Sequence, residues 1–169
     1  MISLREIRRG IFAACALGIT LGAQAGDTYK VIDVPFVEPQ APGPEETLIF
    51  VLREKTSFAA LQKFAIIDND TVVGVLKPGN FMHFTVQSAQ HEIVGYVSPS
   101  PLVHYRVMPS PGETLYLLIK VGYTTGMFME LIDEAQARAM MATFQMTDIE
   151  IKGKKAKMNY KDYYDRMYQ

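Results

Sequence analysis

Residues 62–87 read QKFAIIDNDTVVGVLKPGNFMHFTVQ, and this stretch decides the fold class. Two apolar runs rich in β-branched residues flank Asp68-Asn69-Asp70, whose short polar side chains favour a tight hairpin turn. Pro78-Gly79-Asn80 is a second turn signal, and another run, Phe81–Gln87, follows it. The stretch therefore predicts three consecutive β-strands joined by tight turns.

The same pattern of short apolar runs separated by turn signals continues on both sides of this stretch. Short runs of apolar, β-branched and aromatic residues recur about every ten residues between Thr47 and Ile132. The predicted strands are residues 47–53, 62–67, 71–77, 81–87, 91–97, 102–108, 114–121 and 126–132. This spacing predicts a mainly β fold, an antiparallel β-sandwich of about 7–8 strands.

Alternation of apolar and polar residues indicates which side of each strand faces the core. Met82, Phe84 and Val86 share one side of their strand and are predicted to be core residues. The runs Thr47–Arg53 and Thr114–Val121 are apolar on both sides, which suits central strands. Arg53, at the end of its run, is expected to be a solvated or salt-bridged strand end.

One helix is predicted near residues 134–144, packed on the sheet. Asp133 can cap it, and Gln136 follows three residues later. Ala137, Met140, Met141 and Phe144 have the i, i+3, i+4, i+7 spacing of a helical apolar stripe.

Residues 1–25 are expected to be a signal peptide. Three arginines precede the apolar stretch Ile11–Leu21, and Ala23-Gln24-Ala25 supplies small residues for cleavage after Ala25. We therefore expect a periplasmic or secreted mature protein. Arg8-Arg9 also resembles a twin-arginine export signal, so the export route stays open.

Two observations concern Cys15, which is the single cysteine of the chain. Phe12-Ala13-Ala14-Cys15 resembles a lipobox, but few apolar residues precede it, so a lipoprotein is the second alternative. Because Cys15 lies in the leader, the mature chain is expected to contain no disulfide and no thiol nucleophile. Membrane contact is expected only through a lipid on Cys15 or through the C-terminal tail.

The remaining chain divides into three parts by composition. Residues 26–46 are proline-rich and are predicted to form an extended tether, with a short strand around Lys30–Val34. Residues 47–151 form the predicted sandwich domain, and residues 152–169 are a tail rich in lysine and tyrosine. A helix in the tail would gather four side chains into a candidate partner-docking stripe: Tyr160, Tyr163, Tyr164 and Met167. The alternatives are a helix packed on its own domain and a frayed end.

The order of short motifs in residues 46–145 resembles a family of bacterial secreted proteins and lipoproteins that is classed as a domain of unknown function. That family is similar in its general architecture to the small PEGA-type β-sandwich modules. The motifs are Ile66-Ile67-Asp68, Val73-Gly74-Val75-Leu76, Pro78-Gly79-Asn80-Phe81, Gln90-His91-Glu92-Ile93 and Pro111-Gly112-Glu113-Thr114-Leu115-Tyr116. The resemblance implies an envelope β-sandwich and supplies no catalytic residue and no cofactor.

Three histidines are the candidates for chemistry. His83 and His104 lie on the polar sides of their strands, with Arg106 beside His104, so these side chains could face a common groove and are candidates for partner binding. The alternative is that each histidine is an ordinary hydrogen-bonded or titrating residue of its strand. A hydrolase or a metal-binding module that uses His83 and His104 is therefore an alternative, although their spacing matches no zinc motif. His91 shares a side with Ile93 and is expected to be a hydrogen-bonded core residue.

The function predicted from the sequence is that of an exported binding module without catalytic activity or cofactor. Its partner is expected to be a peptide, a glycan or another envelope protein, met by an open sheet edge or by the tail. The formal net charge of −1 is too small and of the wrong sign for a nucleic-acid partner.

Overall fold

The computed structural model describes residues 29–57, 59–69, 71–87, 89–96, 103–122 and 126–151. This part of the chain forms ten strands and one helix. In chain order they are β1 (Tyr29–Asp33), β2 (Glu46–Arg53), β3 (Phe64–Asp68), β4 (Thr71–Leu76), β5 (Asn80–Gln87), β6 (His91–Tyr96), β7 (Val103–Val107), β8 (Thr114–Gly122), β9 (Gly126–Leu131), α1 (Glu134–Met141) and β10 (Gln145–Ile151). The predicted mainly β sandwich with one packed helix is confirmed.

The strands form two sheets. A six-stranded sheet has the order β1-β10-β5-β2-β8-β9, and a four-stranded sheet has the order β4-β3-β6-β7. Most pairings are antiparallel, but β2 pairs with β8 in parallel and β10 pairs with β5 in parallel. The larger sheet is therefore mixed, and the predicted strand number was too low because β10 was not recognised in the sequence.

The main core lies between the two sheets. Central strand β2 directs Ile49 and Val51 into it and Phe50 toward the opposite side, where a second cluster includes Ala137 and Met141 of α1. The predicted core residues Met82, Phe84 and Val86 of β5 belong to the main core. Since β2 is buried on both sides, the prediction that it is a central strand is confirmed.

Helix α1 covers the outer side of the six-stranded sheet. The backbone N–H of Gln136 donates to Asp133 Oδ1 at 2.7 Å, which is the predicted cap. The helix ends at Met141 rather than at Phe144. In the described residues, no helix combines the length and the apolar character needed to cross a membrane.

The proline-rich segment contains β1 and then runs along the domain. The ring of Phe36 meets the ring of Phe81 edge-on at 5.4 Å. Both carboxylate oxygens of Glu38 accept hydrogen bonds from Arg138 of α1, each at 2.6 Å. The part that follows β1 is thus held against α1 and β5.

Candidate binding cleft

The two parallel strands β5 and β10 separate after two residue pairs. Gln145 pairs with Asn80 and Met146 pairs with Phe81. From Thr147 to Ile151, β10 pairs only with β1, on its other edge, among the residues that the structure describes. Beyond Phe81, β5 pairs with β2 on one side and with no described strand on the other. Two unpaired strand edges therefore diverge from Met146 and Phe81.

The edge strand β4 lies between the diverging strands. Its Val73 packs against the main core, which includes Phe84 and Val86 of β5. Its Val72 belongs to a different cluster, which Ile149 of β10 joins from the other side. Gly74 allows the close approach of β4 to β5, because a Cβ at Gly74 would lie 2.5 Å from Met82 Cε.

A cleft of about 380 Å³ opens where these three strands meet. This volume is within the usual range for ligand sites of about 300–1,000 Å³. Its lining consists of five apolar side chains (Val72, Val73, Phe84, Val86 and Ile149), two neutral polar ones (Tyr29 and Thr85) and two carboxylates (Asp68 and Asp148). The cleft thus combines apolar walls, negative charge and unpaired backbone edges.

Asp68 is held at the end of the cleft by His91. The two side chains are nearly buried, and His91 Nδ1 lies 2.7 Å from Asp68 Oδ1. His91 Nε2 lies 2.9 Å from the carbonyl oxygen of Gln87. The predicted hydrogen-bonded core position of His91 is confirmed. Since both ring nitrogens already have partners, His91 positions Asp68 and has no nitrogen left to act on a ligand.

Asp148 is the exposed carboxylate of the cleft. Its Oδ1 accepts a hydrogen bond from the backbone N–H of Ile149 at 2.7 Å. It lines the cleft, is exposed, and has no ion-pair partner in the described parts of the chain. A carboxylate in this position favours a ligand that carries a basic group.

His83 lies on the outer side of β5, half-buried next to Phe50, with the two ring centroids 5.3 Å apart. Burial lowers the pKa of His83 below its usual value, and the charges of Glu38 and Asp148 oppose that shift. The ring of His83 is therefore partly desolvated, and His83 is not among the residues that line the cleft.

His104 and Arg106 lie on β7 of the other sheet, and both are exposed. Glu92 Oε1 is 3.3 Å from His104 Nδ1 and accepts a hydrogen bond from Arg106 Nε at 3.2 Å. The prediction that His83 and His104 share a groove is wrong, because their strands belong to different sheets. Within the described ranges, no three His, Cys, Asp or Glu side chains are grouped to hold a metal ion.

The remaining sequence candidates lie outside the described residues. These are the tail residues Tyr160, Tyr163, Tyr164 and Met167, together with the leader and Cys15.

Arg53 is a feature that the sequence did not indicate. Its side chain is completely buried, and the expectation of a solvated or salt-bridged strand end is wrong. Nη1 donates to the carbonyl oxygens of Gln62 and Leu76 at 2.6 and 3.0 Å, and Nη2 donates to that of Ala59 at 2.9 Å. The guanidinium lies 3.7 Å from the ring centre of Phe64. Burial lowers the pKa of Arg53 to about 10.

These contacts give Arg53 a structural role. It binds the carbonyl groups of the loop between β2 and β3, so that this loop is fixed to the end of the main core. No pattern in the sequence could have revealed this, because the partners are backbone carbonyls.

Comparisons with known proteins add little to this description. No family model and no curated protein matches the chain. The chain is similar to an NMR structure of a protein from Eubacterium rectale, with 11% identity, over 52% of this chain and 88% of that one, at a TM-score of 0.38. A likeness at this level carries no argument about fold or function. The resemblance to the family of secreted proteins therefore stays a prediction.

Proposed function

We propose that this chain is an exported, non-catalytic binding module that takes up an extended peptide segment of an envelope partner in the cleft between β5 and β10. The observation that carries the proposal is the divergence of these two strands after two residue pairs, which leaves, among the described residues, two strand edges without a pairing partner beside a cleft with apolar walls. The leader predicted at residues 1–25 supports export.

The unpaired edges supply the main binding contacts in this proposal. An extended peptide can form main-chain hydrogen bonds with a free strand edge, and its alternate side chains then occupy neighbouring pockets. Val72, Val73 and Ile149 offer contacts to apolar side chains of the peptide. Asp148 offers a contact to a lysine or arginine. The module would thus select peptides in which apolar residues alternate with polar ones and a basic residue is present.

A peptide fits the cleft better than a glycan does. A glycan carries many hydroxyl groups, and each of them loses hydrogen bonds to water when it enters an apolar site. Five of the nine side chains that line the cleft are apolar, and the backbone groups of β5 and β10 without a pairing partner among the described residues lie along strand edges. That arrangement suits a partner with regularly spaced N–H and C=O groups.

The proposal can be tested with a displayed library of short random peptides, selected on the full-length chain. Affinities of the enriched peptides are then measured by fluorescence anisotropy for the wild type, for Asp148→Lys and for Glu45→Lys. The control has the same charge change at an exposed turn residue away from the cleft. We expect enriched peptides to carry a basic residue and alternating apolar residues.

We expect Asp148→Lys to weaken binding at least about fivefold, since a partly exposed ion pair contributes on the order of 1 kcal/mol and reversal adds repulsion. Glu45→Lys should bind like the wild type. No enrichment, or equal affinities in all three proteins, would remove the proposal.

A further inference from the structure

We propose that the turn at residues 59–62, here called the Leu61 turn, inserts into the surface of a membrane that contains anionic phospholipids, and that Lys63 and Lys77 bind the lipid phosphates. This site is separate from the peptide cleft and does not depend on the proposed function. The inference follows from the exposure of Leu61, from the way the turn is held and from the charges beside it.

The Leu61 turn carries apolar residues at its two central positions. The backbone N–H of Gln62 donates to the carbonyl oxygen of Ala59 at 3.0 Å, so Ala60 and Leu61 are the central residues. Glycine, asparagine, aspartate, proline and serine are the usual residues of such turns. Leu61 is 97% exposed, so almost the whole of its side chain lies in water. This leucine does not pack in the core, and its apolar surface is available to a partner.

The buried Arg53 holds both ends of this turn. Its Nη2 donates to the carbonyl oxygen of Ala59 at 2.9 Å, and its Nη1 donates to that of Gln62 at 2.6 Å. Ala59 has a φ of +58°, which is unfavourable for a residue with a Cβ, and these hydrogen bonds oppose that strain. The ends of the turn are thus fixed to the domain, while its central residues Ala60 and Leu61 are exposed.

Two lysines lie next to the turn. Phe64 of β3 pairs with Leu76 of β4, and Lys63 and Lys77 are the next residues on the two strands at that end. Arg53 Nη1 binds the carbonyl oxygens of the residues that directly precede both lysines, so the two backbones come together there. Neither lysine has an ion-pair partner among the described residues. Because like charges on neighbouring strands repel, an anion that binds both lysines is stabilising.

The whole of this end of the domain is basic. Residues 54–63 and 76–80 contain three lysines and a single carboxylate, that of Glu54. The third lysine is Lys55, whose Nζ donates to the carbonyl oxygen of Thr143 at 2.8 Å and whose stem lies against Gly79 in the turn between β4 and β5. An exposed apolar side chain beside lysines is the combination that binds an anionic bilayer, because the apolar group enters the headgroup region while the ammonium groups stay at the phosphates.

A membrane suits this turn better than a protein partner does. A protein would hold Leu61 in a matching pocket, with further apolar residues around it to exclude water. The residues that follow Leu61 are polar and exposed instead: Gln62 and Lys63. A bilayer needs no preformed pocket, because its headgroups rearrange around an inserted side chain.

The position of the turn leaves the peptide cleft free. Lys63 directly precedes β3, whereas Asp68, which lines the cleft, is the last residue of β3. The turn and the Asp68 end of the cleft therefore lie at opposite ends of this strand. A chain that is bound to a membrane through Leu61 keeps Asp68 away from the lipid surface.

Tryptophan fluorescence tests the insertion in the full-length chain. The chain contains no tryptophan, so Leu61→Trp introduces a single reporter into the turn. The matched control is Met108→Trp, because Met108 is 75% exposed and follows Val107, which pairs with His91 near the Asp68 end of the domain. The vesicles contain phosphatidylcholine alone or mixed with phosphatidylglycerol. The predicted leader is itself apolar, so the readout is the depth of one side chain rather than attachment of the chain.

We expect the emission of Leu61→Trp to shift to shorter wavelength on the phosphatidylglycerol vesicles and to be quenched by brominated lipid, and that of Met108→Trp to do neither. Unshifted emission of Leu61→Trp, as a turn that binds a protein would give, overturns the inference. An equal shift in Met108→Trp, or on vesicles of phosphatidylcholine alone, overturns it as well.

A charge series in the Leu61→Trp background tests the lysines. Lys63→Gln with Lys77→Gln should weaken partition at least about tenfold, since each lysine near an anionic surface strengthens binding about fivefold. Lys30→Gln with Arg106→Gln removes the same charge elsewhere and should weaken it less than about threefold, because salt screens distant charges. Equal losses in the two double variants overturn the inference. Peptide binding that requires Asp148 is a separate readout, so either proposal can fail without the other.

Discussion

The close approach of β4 to β5 depends on the missing side chain at Gly74, and Gly74→Ala tests this directly. A Cβ at this position would lie 2.5 Å from Met82 Cε and closer still to Met82 Sδ. Met82 is buried, with 5% of its surface exposed, and the atoms that a Cβ would meet are at the end of its flexible side chain. Either Met82 leaves its rotamer or β4 moves away from β5.

The magnitude follows from two opposing contributions. Overpacking a filled core costs about 1–3 kcal/mol. Replacing glycine reduces the entropy of the unfolded chain, which stabilises the fold by about 0.4–1 kcal/mol. We therefore expect Gly74→Ala to lower the free energy of unfolding by about 1–2 kcal/mol.

Urea denaturation of the full-length chain measures the effect, with Gly95→Ala as the matched control. Gly95 lies in β6, where a Cβ would make ordinary contacts at 3.5 Å to Ile119 Cδ1 and 3.6 Å to Met129 Cε. Gly95→Ala should leave the stability unchanged or raise it by less than about 1 kcal/mol.

A double-mutant cycle completes the test. Met82→Ala alone should cost about 2–5 kcal/mol through the cavity it leaves. In that background Gly74→Ala should cost almost nothing, because the atoms it would collide with are gone. If Gly74→Ala costs no more than Gly95→Ala, or if its cost is the same with and without Met82, the reasoning is refuted.

Three further outcomes follow from the described contacts. Arg53→Met should lower the free energy of unfolding by about 2–4 kcal/mol. The reason is that the carbonyl oxygens of Leu76, Gln62 and Ala59 lose their hydrogen-bond donor. A variant as stable as the wild type in urea would contradict this. Burial holds the pKa of His83 in the folded protein below its unfolded value of 6.5. The stability that comes from keeping this ring neutral is therefore complete above pH 6.5 and is lost as the pH falls from there through the folded pKa. Urea midpoints should show this decline in the wild type and a flatter pH profile in His83→Gln. The hydrogen bonds from Arg138 hold the pKa of Glu38 below 4.5, so the stabilisation that this ion pair contributes is present above pH 4.5 and is lost on further acidification. At neutral pH Glu38→Gln should speed hydrogen exchange at Val34, whose N–H donates to the carbonyl oxygen of Met146 at 3.0 Å. Unchanged exchange would show that the ion pair does not hold this segment.

The strands of the sandwich were predictable because their signal is local. Apolar runs rich in β-branched residues, the alternation in β5 and the turns at Asn69 and Gly79 identify β3, β4 and β5, and both turn residues have positive φ in the structure. Strand β10 carries the same kind of signal, since Ile149 alternates with Asp148 and Glu150. The sequence analysis did not predict β10, which directly follows the helix predicted near residues 134–144.

The cleft was not predictable, because it arises from pairings that are distant in the sequence. Phe81 and Met146 meet through a parallel pairing that no alternation pattern reveals. The prediction of a groove shared by His83 and His104 was wrong for the same reason. Alternation shows that each residue lies on the polar side of its strand, but it does not show which sheet contains that strand. Sequence patterns thus indicate which side of a strand each residue occupies, whereas the order of strands in the sheets determines which residues become neighbours.

The fold explains why the cleft lies where β10 leaves β5. The last residue of β5 paired with β10 is Phe81, and the next residue, Met82, packs on Gly74 of β4. From this point on, β4 lies against β5, while β10 passes to the other side of β4 and pairs with β1. β4 thus contacts both strands where they diverge, and among the described residues neither strand has a backbone pairing partner on the edge that faces the cleft. In the proposed binding mode, N–H and C=O groups along an edge can pair with any extended chain, so selection among peptides would come from the side chains beside them, the aliphatic wall and Asp148. A longer side chain at Gly74 would act on the fold and on the cleft together, which is why the Gly74–Met82 contact is the most informative place to perturb this protein.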